Sequence, residues 1–246
     1  MCIRKVNAAL YFACAIVVGA VSQDNPPKII TAGPPAALTE LLKQHHVELT
    51  EAGLLKALRS PDGQVRDLAA ARLAEEKDMA AVPAIEEALA REKLPETRIN
   101  IAFSLVQLGQ EKGIVELTAA CENSELPGYF RARAMTYLLP LGNKACFRAA
   151  LDLLGIDPDS RDQVLSLLPQ YHHPSKEESD EILKATARCL TDNSGAVRIQ
   201  ASITLRTLAN PSAVPYLQNA IAIEQDDVVR SQMQDSLEHL QGNQHR

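Results

Sequence analysis

One arginine recurs at a fixed place in a repeated apolar pattern, and that pattern narrows the possible fold more than any other feature of this chain. The arginines are Arg66, Arg98, Arg131, Arg161, Arg198 and Arg230, at intervals of 32, 33, 30, 37 and 32 residues. Three residues after each stand Ala69, Ile101, Ala134, Val164, Ala201 and Met233; seven after stand Leu73, Leu105, Leu138, Leu168, Leu205 and Leu237. A four-residue step keeps side chains on one face of a helix, so each segment reads as an amphipathic helix. A second apolar series follows at offsets 16, 19 and 23 from the arginine, as in Val82/Ile85/Leu89 and Val214/Leu217/Ile221. A five-residue insertion brings Ile182/Ala185/Cys189 into the same series. Each repeat is thus two helices, neither able to bury its stripe alone, and stacking is what makes a core.

Helix-breaking residues fall where this reading needs them. Pro61-Asp62-Gly63, Leu94-Pro95, Pro127-Gly128, Asp157-Pro158, Asn193-Ser194-Gly195 and Asp226-Asp227 each precede an arginine-bearing helix. Asp and Ser are cap residues, and Pro suits a first turn. Gly109, Gly142 and Asn210-Pro211 close helices at the other end. A helix over Thr50 to Arg59 supplies the first partner, and Leu38 to His46 caps the stack. Apolar content of 46% with only 4% aromatics and no Trp suits close helix packing better than a sandwich or barrel. The expected fold is all-α, a right-handed α-solenoid of about six two-helix repeats.

Units such as Asp62-Gly63-Gln64-Val65-Arg66, Ala81-Val82-Pro83-Ala84-Ile85 and Ala213-Val214-Pro215-Tyr216-Leu217 resemble the short HEAT-like repeat family, of the kind grouped around the phycobiliprotein lyases. The resemblance runs over Glu51 to Gln241 and implies the solenoid fold. It also implies that the recurring arginines form a structural Arg–Asp ladder, each reaching a carboxylate of the preceding turn such as Asp62, Asp157 or Asp226. The family spans scaffolds, lyases and nucleic-acid enzymes, so it implies no single activity.

The N-terminus has the layout of a secretory leader. Arg4 and Lys5 precede a sixteen-residue apolar run, Val6 to Val21, broken only by Asn7, with small and then polar residues after it. Cleavage follows Ala20 or Ser22, and the run falls short of the ~20 residues that span a bilayer as a helix. The expected organisation is a signal peptide at 1–22, a proline-rich linker at 23–36, a repeat domain at 37–242 and a polar tail at 243–246. The chain is expected to be exported, periplasmic or extracellular, without a membrane span once the leader is removed; an uncleaved N-terminal anchor is the alternative. Loss of Arg4 and Lys5 takes the 25 basic residues to 23 against 31 acidic ones, a net charge of −8. A nucleic-acid binder needs a basic face to neutralise phosphates, and so acidic a chain is a poor candidate, which sets nucleic acid aside as a partner.

Motifs for chemistry are sparse. His172 and His173 lie together in the longest insertion, but adjacent histidines on a helix diverge and no third ligand accompanies them. His-Glu dipeptides, which the HEAT-based di-iron hydroxylases use in pairs, do not occur. Asp157, Asp159 and Asp162 imitate the start of a calcium loop, yet position six is Asp162 and position twelve is Leu168, so the glycine and the bidentate acid are missing. No phosphate-binding loop or nucleophile elbow is present. The reading implies no catalytic residue, no cofactor and no metal. The expectation is a non-catalytic scaffold that holds another protein. The alternatives are a lyase- or isomerase-like enzyme with a small ligand in the groove, or an envelope structural component.

Apolar residues opposite the core stripe of the arginine-bearing helices are the candidate contact surface. They are Ile99, Phe103 and Val106 in one repeat, Met135 and Leu139 in the next, and Ile199 and Ile203 further on. The competing reading packs them sideways against neighbouring repeats. Beyond the leader, three cysteines remain, Cys121, Cys146 and Cys189. Counted along one uniform stack they stand ~12 to ~20 Å apart, beyond the ~7 Å a disulfide allows, so the register predicts free thiols.

Overall fold

The structure, a computed structural model, describes residues 35–242. The expected leader, nearly all of the linker and the tail lie outside these residues. Thirteen α-helices joined by short 3-10 turns, and no strand, make up the described residues, and the chain divides into two compact units, one ending at Leu126 and the other starting at Pro127.

The first unit holds α1 (Pro35–Gln44), α2 (Glu51–Ala57), α3 (Gly63–Glu75), α4 (Val82–Arg91), α5 (Pro95–Gln107) and α6 (Glu111–Glu122). Helix α1 begins at Pro35, two residues inside the expected linker. Helices α1, α3 and α5 lie side by side, while α2 packs on α3 and both α4 and α6 pack on α5. Caps start the helices. The Thr50 hydroxyl accepts from the Gly53 amide at 3.1 Å, and Asp62 accepts from Gln64 at 2.9 Å. The predicted stripes are the core: Leu54, Leu73, Ile85, Leu89, Ile101, Leu105 and Leu117 are all buried. Each such side chain contributes roughly 2 kcal/mol on leaving water. Helix α6 crosses α5 closely because Gly113 lacks a Cβ, which would stand 2.4 Å from the Ala102 carbonyl oxygen.

The second unit holds α7 (Gly128–Leu138), α8 (Lys144–Ile156), α9 (Arg161–Leu167), α10 (Lys176–Arg188), α11 (Gly195–Leu208), α12 (Val214–Ile223) and α13 (Asp227–Gly242). The arginine-bearing helices α7, α9, α11 and α13 neighbour one another in that order; α8 packs on α7 and α9, α10 on α11, and α12 on α13. Leu138, Phe147, Val164, Leu205, Leu217 and Met233 are buried between them. Ser175 and Glu178 form a reciprocal capping box at the start of α10, with bonds of 3.1 and 2.8 Å. Helix α11 closes on Ala209 with φ 50°, a left-handed conformation more often given to glycine. Each unit is built from the all-α two-helix repeats that the periodicity predicts.

Candidate functional site

The recurring arginines organise the turns between repeats. In the first unit Arg66 donates to the Ser60 and Pro61 carbonyls at 2.8 and 3.0 Å, and grips the Glu92 carboxylate from Nε at 2.7 Å and Nη2 at 2.6 Å. The other Glu92 oxygen accepts from the amides of Lys93 and Leu94, both at 2.8 Å. The Glu92 carbonyl in turn accepts from Arg98, which also holds the Leu89 carbonyl and pairs with Glu116.

The second unit repeats the device twice over. Arg161 binds the Leu154 carbonyl at 2.8 Å and Asp192 at 2.6 Å; Asp192 accepts from the Ser194 amide, and its carbonyl accepts from Arg198 at 2.9 Å. Arg198 then takes Glu224 with two bonds, at 2.6 and 2.9 Å, and the Glu224 carbonyl accepts from Arg230. Every step links one turn to the next through a guanidinium, a carboxylate and a backbone carbonyl. Side-chain exposure is low, 16% for Arg198 and 5% for Glu224, so these charge-assisted bonds are little diluted by water.

The partners differ from the preceding-turn acids that the resemblance implies. Asp62 and Asp226 instead accept from backbone amides, Gln64 for the first and Val228 and Val229 for the second. Asp157 takes the Asp159 amide and the Ser160 hydroxyl. The ladder acids stand 26 residues after their arginines in Glu92 and Glu224, and 31 after in Asp192 once the five-residue insertion is counted. That recurrence was a usable signal. A side chain at the start of a helix can reach the turn closing the next one as well as the turn before its own. Burial alone would raise the Glu92 carboxyl, but the Leu94 amide and Arg66 outweigh it and hold the group below its ordinary value. Glu224 is lowered chiefly by Arg198.

The apolar candidates separate into two sets. Ile99, Phe103, Met135 and Leu139 are buried, so they do not form an exposed strip; Val106, Ile199 and Ile203 are half-buried. Helix α5 has α3 and α4 beside it as well as α6, and α7 has both α8 and α9. A face opposite the core stripe is therefore partly covered. On α11 the face left between its neighbours carries Ile199, Gln200, Ile203, Arg206 and Thr207.

Tyr171 and the two histidines occupy the insertion before α10. The Tyr171 ring stacks on Phe147 at 4.3 Å, and its hydroxyl donates to buried Glu178 at 3.1 Å. Burial and then Glu178 raise the phenol. His172 is anchored by its amide to the Leu139 carbonyl, and its ring lies 3.7 Å from that of His173; burial first, and then His173, lower its basicity. Among the described residues no group of three or more His, Cys, Asp or Glu could hold a metal ion.

Cys121 and Cys146 are each disulfide-bonded, which corrects the expectation of free thiols; Cys189 is a free, buried thiol. That expectation counted offsets along one uniform stack. The chain divides after Leu126, between these two cysteines, and an offset counted through that point is not a distance. Cys189 borders an open cleft of about 380 Å³ with Leu154, Gly155, Arg161 and Arg188. Burial pushes its thiol up, so at neutral pH it is a packed thiol and not a thiolate nucleophile.

The sequence matches the family model for HEAT repeats over residues 51–139. It matches no curated protein. Among solved structures, human deoxyhypusine hydroxylase in complex with glycerol is 19% identical, with 78% of this chain and 73% of that one covered and a TM-score of 0.43. An engineered protein is 18% identical over 77% and 95%, with a TM-score of 0.45. The complex of CpcE and CpcF of phycocyanin lyase from Nostoc sp. PCC7120 is 20% identical over 78% and 95%, with a TM-score of 0.38. No activity passes to this chain from likenesses at that level. Residues 51–139 match HEAT repeats, and the same arginine-bearing two-helix unit recurs after them as far as Arg230.

Proposed function

We propose that this chain is an exported, non-catalytic scaffold that holds another protein, with α11 at the centre of the contact. The observation that carries the reading is the use made of recurring charge. Arg66, Arg98, Arg161, Arg198 and Arg230, from the most regular polar series of the sequence, are spent on neighbouring carbonyls and carboxylates, and so are the acids that face them. What remains free for function is helix surface. Ile199 and Ile203 keep partial exposure on a face otherwise polar, the composition of a contact core with a wet rim. Export is supported by the leader-like N-terminus and by the oxidised state of Cys121 and Cys146, since disulfides persist in oxidising compartments. No cofactor, metal or nucleic acid enters this reading.

The experiment is affinity capture from the envelope and extracellular fractions of the native host, with wild type beside an Ile199→Asp/Ile203→Asp double variant. One protein retained by wild type and at least tenfold depleted from a normally folded variant supports the reading. Equal retention by both, or turnover of a small substrate by the purified protein, overturns it.

A further inference from the structure

Helix α12 differs from every other second-layer helix of the repeats. Helix α4 exposes Glu87 and Arg91, α6 exposes Glu111 and Lys112, α8 exposes Lys144 and Arg148, and α10 exposes Glu177 and Lys184. Between Arg206 and Glu224 the sequence has no charged residue at all, and α12 lies wholly inside that run. Its solvent face is formed by Pro215, Tyr216, Gln218, Asn219, Ala222 and Ile223, all exposed, with Tyr216 at 41% and Ile223 at 62%. At 100° per residue these six span one continuous arc. A terminal repeat normally turns a polar face outward to stay soluble, and α13 does so with Asp227, Asp235 and Glu238. The bare face on α12 is thus not required by stacking.

We propose that this face is a self-association surface on which a second copy of the chain docks, α12 against α12, about a twofold axis near Asn219. Three observations favour a second copy over an unlike partner. The chain carries a net charge of −6 and its other second-layer helices expose charges, so two identical chains meet with least like-charge repulsion on a charge-free face. The polar groups present are a phenol and two carboxamides, each able to donate and accept, so each can pair with its own copy across a twofold axis. The apolar groups are also placed symmetrically. Tyr216 and Ile223 lie two turns apart, ~10.5 Å along the axis, with Asn219 between them. An antiparallel crossing therefore sets Tyr216 of each copy against Ile223 of the other. Six exposed residues of one ten-residue helix per copy make a contact smaller than the ~1,200 Å² at which stable interfaces begin, so the dimer is weak and reversible.

Sedimentation velocity of the purified, unreduced protein over a range of concentrations tests this. The expected result is a reversible monomer–dimer equilibrium that Ala222→Glu weakens roughly tenfold or more at low salt, with unchanged circular dichroism. Tyr216→Glu serves as a second variant at another exposed site of the same face. Asn219→Cys, placed at the axis, should give a covalent dimer on mild oxidation, a readout that does not depend on the tolerance of the charged variants. A protein monomeric at every concentration overturns the proposal. So does a dimer of wild-type strength in both glutamate variants, or a face that protects only in the presence of a different protein.

Discussion

Glu92 and Glu224 each join three parts of the chain, an arginine before them, the amides after them and a second arginine at their own carbonyl. Removing such a carboxylate leaves a guanidinium with an unmet donor pair and frees a turn. Glu224→Ala is expected to lower stability by about 2–3 kcal/mol, while Glu238→Ala, exposed on α13, should stay within about 0.5 kcal/mol; urea unfolding measures both. The pH dependence follows from the same carboxyl. Its folded value is depressed, so the stabilisation is present above the ordinary value of 4.5 and is lost as pH falls through the lower folded value. Glu224→Ala should therefore lose less stability than wild type between pH 6 and acid. His172 acts with the opposite proton bookkeeping. Its folded basicity is also lowered, but here the favoured form is neutral, so the fold weakens as pH falls below the ordinary 6.5. His172→Gln should flatten the stability curve just below that point.

At the scale of elements, the two-helix unit was readable because burial imposes its period on sequence, and the caps marked where each helix begins. The side of a helix turned away from that stripe was less readable. A period gives direction about the helix axis, and says nothing of which neighbours flank it; this is why Ile99 and Phe103 are buried between elements. Phe103→Asp places a charge at a buried position, 7% exposed, and should cost about 3–5 kcal/mol in thermal or urea unfolding. An unchanged melting temperature would contradict the packing described for α5. The contact of α5 with α6 makes a separate demand. Gly113→Ala drives a Cβ against the Ala102 oxygen and the Val106 nitrogen, both backbone, and should cost about 1–3 kcal/mol. In the sequence of α6, Glu111–Glu122, nothing but the glycine itself marks that close crossing.

At the scale of the molecule, composition and periodicity reached the fold class, and the leader-like N-terminus and the charge balance reached a compartment and a class of partner as proposals. The disulfide state of Cys121 and Cys146 was out of reach, because register arithmetic presupposes a uniform stack. The ladder acids were within reach through their recurrence at a fixed offset. The central claim, a protein-binding surface around α11, rests on Ile199 and Ile203 both keeping partial exposure on one helix face, where Ile99, Phe103, Met135 and Leu139 lose it and Val106 keeps it alone on α5. Site-specific photocrosslinking in the native host tests it most directly, with a photoreactive residue placed at Ile203 and, for comparison, at exposed Lys184 on α10. One defined protein adduct is expected from position 203 and none from position 184. No adduct from 203, or the same adducts from both positions, would contradict it.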